Sequence, residues 1–101
     1  MAKVSKVQRE QKIDKLVAKY WNKRVALKKI ISDRDISSDK KLQAQFQLDA
    51  LPRNSLKIRR RSRCSITGNP RGYRRRFGLC RDKIREYASQ GMLAGVIKSS
   101  W

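Results

Sequence analysis

Cys64 and Cys80 are the only thiols in the chain, and their surroundings pose the first chemical question. Two residues separate Cys64 from Thr67, twelve separate Thr67 from Cys80, and two separate Cys80 from Lys83. This is the frame C-x2-C-x12-C-x2-C with its second and fourth ligands replaced. A structural zinc site takes four thiolate, imidazole or carboxylate ligands in a tetrahedron. The chain has no His, and Lys83 puts a cation where a ligand should stand. Two thiolates alone cannot close such a site, so the frame predicts no zinc, and nothing else in the chain calls for a cofactor.

A second set of residues is suited to phosphate. Arg59-Arg60-Arg61-Ser62-Arg63 and Arg74-Arg75-Arg76 are short basic runs. Residues 53–81 carry 11 Lys and Arg, 10 of them Arg, and no Asp or Glu. Arg offers a planar fork that binds phosphate bidentately and stacks on bases. With no acid nearby to relieve their repulsion, these cations call for an external anion. The expected contact set is Arg53, Lys57, Arg59, Arg60, Arg61, Arg63, Arg71, Arg74, Arg75, Arg76 and Arg81. If 6–10 of them touch phosphate, affinity falls roughly 10³–10⁵-fold between 50 and 200 mM salt. Tyr73 and Phe77 bracket the second run. They either stack on unpaired bases, as aromatics do in looped RNA, or form a small core with Leu79 and Ile84; the sequence leaves both open. Tyr73 is counted with the contact set. Gly68, Gly72 and Gly78 allow close backbone approach or unusual angles.

Catalysis has little to work with. There is no His, no G-x-S-x-G and no phosphate-cradling glycine loop, and Asp82 and Glu86 are the only acids after residue 52. Those two sit at i and i+4 of a helical stretch beside Arg81 and Arg85, where dipole and ion-pair roles suffice. No enzyme is expected.

The elements that position these residues follow from composition and period. The chain has 101 residues and a net charge of +19. Leu, Ile, Val and Phe make up only 23 residues, close to the composition at which chains stay disordered. A polyanionic partner would offset the charge and complete the fold. Residues 1–52 hold 13 Lys and Arg, 10 of them Lys, with 6 acids, the composition of a helical scaffold with a solvated face. Ile13, Leu16, Val17, Tyr20, Trp21, Leu27, Ile30 and Ile31 recur at helical spacing, with Arg24 interrupting the stripe. They predict a helix over about residues 3–31, in which Tyr20 and Trp21 pack rather than stack on bases. After a polar linker, Ser37 or Ser38 can cap a second helix. Its stripe is Leu42, Phe46 and Ala50, flanked by Ala44, Leu48 and Leu51, and it ends before Pro52. The two helices should pair as a hairpin, its Lys face toward RNA and its apolar face toward itself or neighbours. Residues 53–80 show no period and are dense in turn formers around Thr67-Gly68-Asn69-Pro70-Arg71-Gly72, which predicts an extended, loop-rich segment with room for a short hairpin. Ile84, Tyr87 and Ala88 predict a short helix from about Arg81 that stops at Gly91. The expected fold is therefore mainly α: an N-terminal helical hairpin, an Arg-rich loop segment and a short C-terminal helix, folding largely against RNA. The start of the chain lacks the apolar core of a secretory signal, no stretch approaches a membrane span, and the thiols fit a reducing cytoplasm.

Three groups of residues resemble a known family: Arg63-Cys64-Ser65-Ile66-Thr67-Gly68; Arg75-Arg76-Phe77-Gly78-Leu79-Cys80-Arg81; and Ile84-Arg85-Glu86 with Gly91, Gly95-Val96, Lys98 and Ser99-Ser100-Trp101. Together they are similar to small-subunit ribosomal protein S-fourteen. Met1-Ala2-Lys3, the long basic helix and Leu51-Pro52-Arg53 resemble its longer bacterial form. That family has a short form with four zinc-binding cysteines and a long form without them, and Thr67 and Lys83 align this chain with the zinc-free form. The resemblance implies a non-enzymatic constituent of the small ribosomal subunit, located in the cytoplasm on the ribosome. It implies binding to small-subunit ribosomal RNA, contact with neighbouring head proteins, and a role in assembling and shaping the subunit head during translation. It divides the chain into a basic hairpin extension, 1–52, and an RNA-binding core module, 53–101, a zinc-less remnant of a zinc-ribbon-like motif. No small-molecule substrate and no membrane partner are implied. Two competitors remain open. A nucleoid-type basic DNA-binding protein shares the charge but would need dimerising heptads, a recognition helix or a β-ribbon arm. A cationic membrane-surface helix would use residues 3–31 and leave the Arg-rich half without a role.

Overall fold

The computed structural model describes residues 1–100. Between Ala2 and Leu51 there is no Gly or Pro, and Lys, Gln, Leu and Ala dominate, all residues that lose little on entering a helix. The first helix, α1, runs Val4–Ser32, within a residue of the expected span at each end. Lys29 lies in its last turn, where a cation is favoured by the helix dipole. The linker turns on Asp33, whose carboxylate accepts from the Asp35 amide at 3.2 Å. The second helix, α2, is Ser38–Asp49. Ser37 is its N-cap in extended conformation, but its hydroxyl makes no capping bond; instead its carbonyl accepts from Lys41 at 3.2 Å. The expected hydroxyl cap is therefore not formed. Asp39 in the first turn meets the positive helix end in its place.

The chain divides into two compact units. The first comprises Gln8–Arg60. In it Leu27 of α1 packs on Ala44 of α2 and on Leu51, with Tyr20, Ile30, Ile31 and Leu48 around them. Ile13 and Val17 are also buried. Two expectations are corrected here. Arg24 does not interrupt the α1 stripe but belongs to it: positions 13, 17, 20, 24, 27 and 31 step by four and three, and Arg24 is only 8% exposed. Its Nε donates to Ser55 Oγ at 2.9 Å and its Nη2 to the Pro52 carbonyl at 3.1 Å. On α2 and just after it the packed residues are the flanking set, Ala44 and Leu48 with Leu51, whereas Leu42 and Phe46 are 55% and 71% exposed. The hairpin buries the side of α2 that carries Ala44 and Leu48, which sit against Leu27 of α1. Residues 53–60 fold back on the same unit as two single 3-10 turns, Arg53–Ser55 and Lys57–Arg59.

The second unit comprises Met1–Val7 and the chain from Arg61. Here β1 (Tyr73–Arg74) pairs antiparallel with β2 (Leu79–Cys80), Tyr73 opposite Cys80 and Arg74 opposite Leu79. The helix α3, Arg81–Ser89, follows directly. Gly91 closes α3 with φ +72°, its amide bonding to Ala88 and the Met92 amide to Tyr87. This paired capping pattern, a Schellman motif, requires a left-handed residue and so favours glycine. Cys64, Leu79 and Cys80 form the buried centre, with Phe77, Ile84 and Tyr87 packed against it. In the same unit the Ala2 amide donates to the Thr67 carbonyl at 3.1 Å. Gly68 (φ +69°) lies so close that a Cβ there would stand 3.0 Å from Val7 Cγ2 and 3.2 Å from Ala2 Cβ.

Candidate nucleic-acid interface

The hairpin and α3 set the geometry of the Arg-rich surface. The β1–β2 turn carries Arg75 and Arg76 on four exposed or half-exposed turn residues, held by Phe77 and Gly78 amides donating to the Arg74 carbonyl at 3.2 and 2.9 Å. Because α3 starts immediately after β2, its first turns face the same way. Arg74, Arg75, Arg76, Arg81 and Arg85 thus line one open groove of about 470 Å³, floored by Phe77 and Ile84. Among the described residues no acid pairs with Arg74, Arg75, Arg76 or Arg85. Arg81 alone meets a carboxylate, Asp82, at 3.7 Å between exposed groups, too weak and too solvated to neutralise it. A concave cationic wall around a partly apolar floor can take phosphates on its rim and a sugar or base edge within.

Phe77 is the floor of that groove rather than a free stacking platform. It packs on the Cys64–Leu79–Cys80 centre, with the Arg76 guanidinium 5.9 Å from its ring centroid. Tyr73 is half-buried on β1. Gly68, Gly72 and Gly78 all have positive φ, between 63° and 69°. At Gly72 the backbone also approaches closely: its carbonyl accepts from the Arg81 amide at 2.9 Å, and a Cβ there would sit 3.1 Å from Arg81 Cγ. The Arg81 stem is thereby laid along the turn while its head stays exposed.

Several other cations of the expected set also hold the protein's own structure. In the helical unit Arg60 pairs with Asp14, and Arg59 donates to Asn54 Oδ1 at 2.7 Å. Lys57 lies 5.0 Å over the Trp21 ring, so that Trp21 is half-covered by a cation rather than by the core. Arg53 is exposed on the first 3-10 turn. In the second unit Arg61 donates to the Pro70 carbonyl at 3.3 Å and Arg63 to the Gly68 carbonyl at 3.1 Å, clamping the loop from both sides, while Arg71 is exposed. The expected residues therefore fall into a set of four in the helical unit and the remainder in the hairpin unit. Arg85 belongs with the latter and was missed by an ion-pair reading. Glu86 in fact pairs with Lys83, at 2.6 Å, and spacing on α3 turns Arg85 toward the groove.

The cysteine frame closes without metal ligands. Cys64 and Cys80 are both buried free thiols, and Thr67 Oγ1 lies 3.7 Å from Cys80 Sγ. Burial pushes the Cys64 thiol up, but hydrogen bonds from the Thr67 hydroxyl and from the backbone at Thr67, Cys80 and Ile66 outweigh it and bring the thiol down to about 6. The Lys83 ammonium, its pKa raised mainly by the hydrogen bond to Glu86, is turned to that carboxylate. Among the described residues no three His, Cys, Asp or Glu side chains are placed to share a metal. A tetrahedral zinc does not fit a site whose second corner is a hydroxyl and whose fourth is a paired ammonium.

Residues 47–100 match the family described as ribosomal protein S14p/S29e. This chain belongs to that family. Over all 101 residues, covering each chain completely, it is 50% identical to the small ribosomal subunit protein uS14 of Alkalilimnicola ehrlichii and 48% identical to that of Paramagnetospirillum magneticum. The small ribosomal subunit protein uS14 of Gloeothece citriformis is 52% identical over the same length. The S14p/S29e match takes in the end of α2, the cysteine frame, the hairpin and α3. It is a family of ribosomal proteins, so the chain is not an enzyme. Among the described residues, no helix of this S14p/S29e member is long and apolar enough to cross a membrane.

Proposed function

We propose that this chain is a structural constituent of the small ribosomal subunit, on the ribosome in the cytoplasm, that binds ribosomal RNA and supports assembly and shape of the subunit head during translation. In this reading residues 53–101 are the RNA-binding module and residues 1–52 the helical extension of a zinc-free long form. Phosphates meet Arg53, Lys57, Arg59, Arg60, Arg61, Arg63, Arg71, Arg74, Arg75, Arg76 and Arg81, joined by Arg85, and Tyr73 borders the base-facing side. The observation that carries the reading is the acid-free groove of Arg74, Arg75, Arg76, Arg81 and Arg85 inside the segment matched to a ribosomal-protein family. Cations so crowded repel one another unless counter-charge arrives from outside, and a polyphosphate supplies it with release of its own counterions.

The test is co-sedimentation. A tagged chain should be recovered with small subunits at one copy per particle in moderate salt. In competition at about 150 mM salt, structured ribosomal RNA should displace it from duplex DNA, because salt weakens the phosphate contacts to both and leaves the fit to the RNA to discriminate. Recovery in the soluble fraction, or equal competition by duplex DNA, would count against the proposal.

A further inference from the structure

The exposed face of α2 carries a different chemistry from the rest of the molecule. Asp39, Leu42, Phe46, Asp49 and Ala50 recur at steps of three and four, so they share one side of the helix, opposite Ala44, Leu48 and Leu51, which pack on α1. Leu42 and Phe46 are largely exposed. Asp49 is steadied at the surface by the Gln45 amide, 3.0 Å from its Oδ1. Lys40 and Lys41 fall outside this arc by helical period. Residues 33–52 hold four acids and three bases, a net −1 in a chain of net +19. A face with two acids, no cation and two large apolar groups is wrong for RNA, since carboxylates beside phosphates are repelled and the apolar groups offer no counter-charge. Exposed aromatic and aliphatic groups ringed by polar ones mark a protein contact, and Phe is among the residues enriched at such contacts.

We infer that the Leu42–Phe46 face of α2 docks a neighbouring protein of the small subunit through an apolar socket bordered by Lys or Arg. Leu42 and Phe46 enter the socket, and Asp39 and Asp49 meet the partner's cations at its rim. The inference rests on the ribosomal reading above and names one partner class for a surface that the RNA interface does not use. It also accounts for the local loss of positive charge: residues 33–52 hold more acids than bases, whereas α1 presents Lys12, Lys15, Lys19 and Lys23, all exposed.

The experiment places p-benzoylphenylalanine at position 46 of the full-length chain in cells, irradiates, and isolates small subunits by sedimentation. The expected product is a cross-link, identified by mass spectrometry, to a Lys- or Arg-rich segment of another ribosomal protein. Asp39→Lys with Asp49→Lys should lower its yield per incorporated chain roughly tenfold, since like charges at a rim oppose association. Cross-links to ribosomal RNA or to a second copy of the chain, or none at all, in particles that contain the chain would overturn the docking inference and leave the ribosomal reading standing. A chain missing from the particles would overturn both.

Discussion

The guanidinium of Arg24 donates to the Ser55 hydroxyl at 2.9 Å, and neither residue reaches solvent to any extent. Ser55 passes its own hydroxyl proton toward the Pro52 carbonyl, which also accepts from Arg24 Nη2. A buried cation on α1 thereby fastens the segment after α2. Arg24→Met keeps most of the stem volume but removes both guanidinium bonds, leaving the Pro52 carbonyl only its bonds from Ser55. Loss of charge-assisted bonds of this kind costs about 1.5–3 kcal/mol, and that is the expected drop in urea unfolding, measured in sulfate-containing buffer to screen the excess charge. Ser55→Ala should cost less, and the double variant should fall short of the sum by at least about 0.5 kcal/mol, since the two residues share one network. Strict additivity would show that the bond contributes nothing.

Gly68 and Gly78 separate two costs that glycines often combine. Both have positive φ, but a Cβ on Gly68 meets Val7 and Ala2, whereas nothing lies within 4 Å of one on Gly78. Gly78→Ala should therefore lose only the left-handed penalty, about 1–2 kcal/mol. Gly68→Ala should lose more and should also speed exchange of the Ala2 amide, because the Ala2–Thr67 bond lies beside the clash. Equal losses at the two positions would mean that the N-terminal residues yield freely.

Much of this was readable in the chain, and the failures have physical causes. The helices were legible because long stretches without Gly or Pro carry a period of three and four, and Gly91 marked the end of α3 as a left-handed cap should. Arg24 was misread because residue type says surface while position says core; only its partners, Ser55 and Pro52, 28 or more residues away, settle the conflict. Leu42 and Phe46 were placed inside because size argued for burial, yet the helix turned its small residue Ala44 to α1 instead. For the candidate interface, the Arg runs were plain in composition. Which of them line one groove was not, because that depends on β2 running straight into α3, and Arg85 joins through that junction.

Groove cations and structural cations should differ in salt dependence. Arg75→Ala with Arg76→Ala removes two exposed charges that hold no carboxylate. If both contact phosphate, the slope of log affinity for ribosomal RNA against log salt should become shallower by about 1.4–1.8, and incorporation into small subunits should weaken. Arg63→Ala removes one phosphate contact and also frees the Gly68 carbonyl, so it should flatten the slope about half as much and lower the stability of the free chain besides. An unchanged slope for the double variant, alongside normal sedimentation with the subunit, would remove the turn from the contact surface.

Cys64 gives the chain a pH dependence of definite sign. Hydrogen bonds from Thr67 and from the backbone of the loop hold its thiol down to about 6 against an ordinary value of 9.0. Between those limits the unfolded chain binds more protons at this site than the folded one, so stability rises with pH from about 6 to about 9, and the contribution is lost as pH falls through 6. One proton sets a ceiling of about 1.4 kcal/mol per pH unit. Urea unfolding under reducing conditions across this range should show the folded state gaining on Cys64→Ala as pH rises. Thr67→Val removes the side-chain hydrogen bond while leaving the backbone donors, so it should move the onset of that gain to higher pH without abolishing it. A stability difference between the parent chain and Cys64→Ala that stays level from pH 6 to 9 would show that the loop does not stabilise a thiolate.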